Sequence, residues 1–300
     1  MTKSADELDH RLNAFRPDLA DSRLEGVVEA ARFVEGVPRR VVAPVTRLKR
    51  WPRRDAPTDT ELLFGETVWQ FEDNGEGWAW VQAEFDGYVG YVETDGLASA
   101  DIAPTHRVRA QRSFRYPAPD MKQPPGDALS MGSLVTVSGH ASTRGTDYAL
   151  LADGTAMVAC HLEPVATVAG DYVAVAETLL HAPYLWGGRS GFGIDCSGLV
   201  QLSMAMAGTA VPRDTDMQEK GIGEAISGNG RQTGLQRGDL VFWKGHVAIL
   251  TDASTIIHAN GHSMTVAAEP LDGAVERIAR LYGSPTSVRR PRPAQRISKR

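Results

Sequence analysis

The sequence is poor in cysteine. Two thiols, Cys160 and Cys196, occur in 300 residues. They allow one disulfide at most, which excludes a stapled secreted scaffold. They form no C-x-x-C pair, so a paired-cysteine zinc site and a dithiol redox motif are both missing. Long apolar runs are missing too. No stretch approaches the ~18 apolar residues of a membrane span. Residues 1–26, MTKSADELDHRLNAFRPDLADSRLEG, lack the apolar core of a secretory signal. These absences predict a cytoplasmic protein without membrane contact, with one functional thiol in a reducing compartment; export by a signal-independent route stays open. An excess of one charge is also absent. A net charge of −5 with 23% charged residues gives no electrostatic basis for nucleic-acid binding. The carboxyl end is the local exception. Arg289, Arg290, Arg292, Arg296, Lys299 and Arg300 occur there without an acidic residue, a pattern that predicts a solvated basic tail.

What is present divides the chain by texture. At 300 residues, two or three compact units are expected. Leu8, Leu12 and Phe15, then Leu24, Val27, Val28, Ala31 and Phe33, predict two short helices joined at Pro17, so residues 1–40 read as a helical amino-terminal segment. From 41 to 166 short apolar runs alternate with Gly, Pro, Asp and Asn, as in small all-β barrels. A weak repeat runs through them. Leu62-Leu63-Phe64-Gly65-Glu66-Thr67-Val68 leads to Gly87-Tyr88-Val89-Gly90-Tyr91-Val92, and Ala128-Leu129-Ser130-Met131-Gly132-Ser133-Leu134-Val135 leads to Asp153-Gly154-Thr155-Ala156-Met157-Val158. The plan is that of two barrels of ~60 residues, over 41–100 and 101–166. Residues 167–300 differ again. A helix over 173–180, a Gly-rich loop over 184–193 and a helix over 195–207 precede strands at 240–243, 247–250 and 255–258, an α+β arrangement.

Cys196 opens the second of those helices, directly after the Gly-rich turn. A helix amino terminus stabilises a thiolate and offers free N–H groups to an oxyanion. A lone cysteine is more often a small buried apolar residue, but Asp195 and Ser197 make this a polar setting. A thiol nucleophile needs a base, and the base an orienting partner. His246 follows a glycine turn at the start of one strand, and His258 closes the next. In a hairpin both would lie at one end, with His258 accepting from or donating to the far nitrogen of His246. Each histidine alone is more often structural. Zinc at His258 and His262 is disfavoured, because no H-E-x-x-H and no third ligand accompany them. No metal or cofactor is expected.

Five blocks of this chain occur in the order of the NlpC/P60 family. They are Tyr184-Leu185-Trp186-Gly187-Gly188, Asp195-Cys196-Ser197-Gly198-Leu199-Val200, Val211-Pro212-Arg213-Asp214-Thr215, Arg237-Gly238-Asp239-Leu240-Val241-Phe242-Trp243 and His246-Val247-Ala248-Ile249. The family comprises papain-like cysteine peptidases of bacterial cell-wall peptides. The resemblance covers about residues 167–290 and implies Cys196 as nucleophile, His246 as general base and His258 as orienting residue. Paired SH3-like barrels ahead of such a domain resemble the γ-D-glutamyl-L-diamino acid endopeptidases. These cut between γ-D-Glu and the diamino acid of peptides with a free amino-terminal L-Ala. The implied fold is multidomain: two small SH3-like β-barrels followed by an α+β papain-like domain.

That likeness assigns Glu66, Tyr88 and Asp195 to the substrate ammonium, an assignment in keeping with the cost of burying an unpaired charge. Glu66 as a solvated turn residue and Tyr88 as barrel core remain the plainer readings. Tyr184 is placed near the reacting carbonyl oxygen, Ser197 and Thr215 in the substrate pocket, and Trp186 in either packing or contact. The expected partner is a small murein peptide, L-Ala-γ-D-Glu-diamino acid, met in recycling. An exported endopeptidase acting on intact peptidoglycan, a related thiol amidase or acyltransferase, and a non-catalytic wall-peptide binder are the rivals. The diamino acid and the oligomeric state are not fixed.

Overall fold

A computed structural model describes residues 8–226 and 234–292, in two compact units that divide at Val165 and Ala166. In the first unit, strands from Val37–Val41 to Leu97–Ser99 form one seven-stranded antiparallel sheet. Its order is Thr58–Leu63, Val45–Lys49, Val89–Glu93, Trp78–Ala83, Thr67–Asp73, Val37–Val41 and Leu97–Ser99. Val41, Leu48, Val68, Val81, Tyr88 and Val92 fill its interior. Gly90 has to be glycine, because a Cβ there would lie 2.1 Å from Leu48 Cδ2. Residues 106–164 form three smaller sheets around Val108, Leu129, Val135, Leu151 and Met157.

The repeat is visible in hydrogen bonds. Gly65 and Gly132 both take positive φ, 82° and 87°, a conformation that favours glycine. Each stands third in a turn closed by the same bond, Glu66 N–H to Leu63 O and Ser133 N–H to Ser130 O, both 3.1 Å. Gly65 N–H then donates to Val41 O, as Gly132 N–H does to Val108 O. The copies also touch: Leu134 N–H donates to Phe64 O at 2.7 Å, and a Cβ on Gly65 would lie 2.0 Å from Leu134 O.

The amino-terminal segment departs from expectation. Among its described residues there is no α-helix; Ala20–Asp21 pairs with Phe33–Val34 in parallel and Ser22–Leu24 makes one 3₁₀ turn. Helices this short have little stability of their own, and the barrel offers more. Ala14 and Leu19 are buried with Phe71 and Trp80. Leu12 O accepts from Gln82 Nε2 at 2.8 Å, and the Arg16 guanidinium lies 4.3 Å from the Trp80 ring while pairing with Glu72.

The second unit holds four helices among its described residues: α1 (Tyr172–Glu177), α2 (Cys196–Met206), α3 (Thr215–Gly221) and α4 (Leu271–Tyr282). Its sheet is antiparallel, in the order Glu224–Ala225, Ser287–Arg290, Leu240–Trp243, His246–Leu250, Thr255–Asn260 and Thr265–Pro270. Helix α2 is buried on nearly every side, as its apolar and small residues require. Helix α4 was not foreseen. Leu271, Ala274 and Ile278 turn one face of it onto Val241, Trp243, Leu250 and Ile256. The basic run is also corrected. Arg289 and Arg290 belong to a central strand, and Arg290 pairs with the fully buried Asp239 at 2.7 Å. A charge already matched by a buried carboxylate does not remain in a solvated tail. Arg292 pairs with Glu224; Arg296, Lys299 and Arg300 lie outside the described residues.

Candidate active site

Asp195 caps α2. Its Oδ1 accepts from Gly198 N–H at 2.7 Å, satisfying one of the donors a helix start leaves open. Gly187 N–H donates to Oδ2 at 2.9 Å, so the same carboxylate ties down the preceding loop. Arg213, 1% exposed, closes on it with both nitrogens, Nη1 to Oδ1 at 2.9 Å and Nη2 to Oδ2 at 2.6 Å. This fork is the geometry that makes arginine the partner for a buried carboxylate. The glycines of the two motifs permit it. A Cβ on Gly198 would lie 2.3 Å from Gly188 O, and one on Gly188 would lie 2.5 Å from Gly193 O.

Cys196 follows directly, 8% exposed. The backbone N–H of Val247 hydrogen-bonds to the thiol, placing the sulfur where the His246–Leu250 strand begins. That strand pairs with Thr255–Asn260. His246 Nε2 lies 2.8 Å from Nδ1 of the fully buried His258, and His258 Nε2 lies 2.8 Å from Glu269 Oε1. Arg277 on α4 pairs with the same Oε1. A line of four side chains thus runs from His246 to the Arg277 guanidinium.

Burial reverses one expectation. The thiol was expected to be acidified by its helix. Instead burial, with Asp195 next to it, pushes Cys196 up to about 12, against the pull of Val247 N–H, Arg213 and Ser197 N–H. Burial likewise pushes His246 down to about 3, helped by His258 and Arg277 and opposed by Glu269. The helix terminus is a weak lever here, because its Gly198 N–H is already claimed by Asp195 and its field is set against that carboxylate. Both shifts favour the uncharged forms, a thiol at Cys196 and a neutral imidazole at His246.

Residues 181–279 match the model of the NlpC/P60 family, and residues 48–97 match that of the bacterial dipeptidyl-peptidase Sh3 domain. The chain carries an NlpC/P60 cysteine peptidase domain. It is 26% identical to dipeptidyl-peptidase 6 of Lysinibacillus sphaericus over 239 residues, 73% of this chain and 86% of the relative. It is 27% identical to γ-D-glutamyl-L-lysine dipeptidyl-peptidase of Bacillus subtilis over 236 residues, 68% of this chain and 73% of that one. Among solved structures, an NlpC/P60 family protein from Bacillus cereus shares the fold. Its TM-score is 0.69 at 21% identity, over 85% of this chain and 99% of the other.

Within the NlpC/P60 domain the remaining predicted residues fall as follows. Tyr184 is half-buried and close enough to Cys196 and Asp195 for their charges, after burial, to raise its pKa; its hydroxyl stays a donor. Ser197 donates to Asp195 Oδ1 at 3.2 Å and accepts from Arg213 at 2.8 Å. Thr215 opens α3, half-buried. Trp186 is 70% exposed. Asp195, assigned by resemblance to a substrate ammonium, has its charge met by Arg213 in the folded domain. Glu66 and Tyr88 belong to the first unit. Glu66 is buried, with Oε2 accepting from Leu63 N–H at 2.9 Å, and Tyr88 is packed in the barrel interior. Among the described residues no group of three or more His, Cys, Asp or Glu side chains is arranged to hold a metal.

Three participants were missed. Arg213 stood inside a quoted motif without a role. Glu269 lies diagonally across the strand pair from His258, whose direct partner is Ala267; two residues along a strand return to the same face. Arg277 carried no signal, since its helix was not foreseen.

Proposed function

We propose that this chain hydrolyses the γ-D-Glu–diamino acid bond of short murein peptides that carry a free amino-terminal L-Ala, in the recycling of such peptides in the cytoplasm. The observation that carries this reading is the combination, in one chain, of the Cys196–His246–His258 site with a bacterial dipeptidyl-peptidase Sh3 domain. Release of a dipeptide presupposes a free amino terminus. Stems still linked to glycan have that amine acylated, so a free-amine requirement favours peptides already released from the wall.

The chemistry is acyl transfer. The Cys196 sulfur attacks the γ-carbonyl carbon while its proton passes to His246, so that no free thiolate has to form beforehand. In the first turn of α2, Gly198 N–H serves Asp195 and Ser197 N–H serves the sulfur. The N–H of Cys196 itself is left for the oxyanion, with the Tyr184 hydroxyl as second donor. The C–N bond then breaks and the diamino-acid amine takes the proton from His246. Water adds to the thioester carbon, giving its proton to the same imidazole, and the thiol is regenerated.

Mass spectrometry on L-Ala-γ-D-Glu-meso-diaminopimelate, its L-Lys counterpart, their N-acetyl forms and intact peptidoglycan tests the proposal. The free-amine peptides are expected to yield L-Ala-D-Glu, and Cys196→Ala to yield none. Equal cleavage of the N-acetyl forms would remove the free-amine requirement. Cleavage of intact peptidoglycan would favour an exported endopeptidase instead, and binding without hydrolysis a wall-peptide binder.

A further inference from the structure

His258 is fully buried, and both its ring nitrogens are engaged. A neutral imidazole has one donor and one acceptor, so one of its two neighbours must accept and the other donate. His246 can do either. Glu269 cannot, provided it is ionised. The hydrogen bond from His258 and the charge of Arg277 hold its carboxyl below the usual carboxylate range, in spite of burial. An ionised carboxylate only accepts. In its neutral form His258 therefore carries its proton on Nε2 and presents a lone pair at Nδ1. That lone pair in turn requires a proton on Nε2 of His246, which leaves the His246 lone pair at Nδ1, the nitrogen turned away from His258.

We propose that Glu269, pinned by Arg277, is a positioning residue that fixes the tautomers of both histidines and so leaves Nδ1 of His246 as the base for Cys196. The inference rests on the peptidase reading above. The arrangement is specific. His258 Nε2 and Arg277 Nη2 converge on a single oxygen, Oε1 of Glu269. Without the carboxylate, Arg277, a cation with donors only, is left beside His258 Nε2. His258 would then turn its lone pair toward Arg277 and its proton toward His246, which would put the His246 proton on Nδ1, the nitrogen assigned here as the base. A base in the wrong tautomer cannot accept, however well it is placed. The ionisable and charged groups of this line are Cys196 and Asp195 on and before α2, His246 and His258 on the sheet, Glu269 on the edge strand, Arg213 beside Asp195 and Arg277 on α4.

The test needs no substrate. Long-range proton–nitrogen spectra of histidine-labelled protein report which ring nitrogen is protonated. The wild-type chain is expected to show both His246 and His258 protonated on Nε2. Glu269→Leu is expected to shift both toward the Nδ1 tautomer and to lower kcat by ten- to a hundredfold or more, with KM within about threefold. Glu269→Gln keeps an acceptor oxygen, so it is expected to retain the tautomers and most of the lost rate. A wild-type His258 protonated on Nδ1 would overturn the proposal, even if no variant folds. So would a Glu269→Leu protein with unchanged tautomers and kcat. If the tautomers are as stated but the wild type leaves every murein peptide intact, the substrate reading fails and this inference stands.

Discussion

Nη1 and Nη2 of Arg213 meet Oδ1 and Oδ2 of Asp195 at 2.9 and 2.6 Å, at the cap of the helix that begins with Cys196. The pair therefore holds the helix start and the 184–193 loop in one geometry. Removing the guanidinium takes a buried cation from the Asp195 carboxylate at 2.6 Å. Arg213→Gln is expected to lower stability by about 3–5 kcal/mol, read from urea midpoints at constant m. A loss under about 1 kcal/mol would show that the loop relaxes and water replaces the guanidinium.

The contact between Gly188 and Gly198 predicts a steric effect with a built-in control. Gly198→Ala drives a methyl to 2.3 Å from a backbone oxygen. A loss of about 1–3 kcal/mol is expected, together with most of the activity, because Cys196 lies two residues upstream. Gly273→Ala meets nothing within 4 Å on the same scale. It lies in α4 and is expected to stabilise slightly, by up to about 1 kcal/mol. Equal effects of the two substitutions would sink the steric account.

Tyr184→Phe removes the hydroxyl proposed as an oxyanion donor and little volume. A fall in kcat on the order of 10²-fold is expected, with KM nearly unchanged. Trp186→Ala, by contrast, removes an exposed side chain and is expected to leave stability within about 0.5 kcal/mol. A rise in KM there would assign Trp186 to the substrate; unchanged kinetics would leave it with no part in binding.

The pH dependence follows from the two buried groups. His246 falls to about 3 from 6.5, so the imidazole is already neutral and competent as a base well below the usual histidine range. The acid limb of kcat/KM is expected below pH 5, and a limb near 6.5 in the free enzyme would contradict the burial argument. Stability has its own windows. Between about 6.5 and 3 the unfolded chain takes up a proton at this position that the folded chain refuses, so stability falls as the pH drops through that range. Cys196 rises to about 12 from 9.0. From 9 upward the unfolded thiol ionises first, and stability falls as pH rises. Thermal melts across both windows read these slopes.

How much of this was legible in the sequence depended on distance along the chain. Cys196, His246 and His258 sit in short blocks whose neighbours specify their setting; the two histidines lie 2.8 Å apart, and the thiol meets the Val247 N–H beside His246. Gly65 and Gly132 betrayed the repeat because a backbone conformation constrains the residue type locally. The thiol's pKa could not be read that way, since burial is a property of everything packed around a group. Glu269 and Arg277 needed strand register and a helix position, neither of which is encoded nearby. At the amino terminus, helical spacing was present, but contacts with Trp80 and Gln82 on the barrel decided the outcome.

Gly65 does two jobs at once. It turns the chain of the first barrel, and its bare backbone seats Leu134 of the second. Two stretches built on one plan are thereby tied to each other. A lengthened turn, or any side chain at that position, would unsettle both together. The repeat is modular as sequence and is expected to melt as one object.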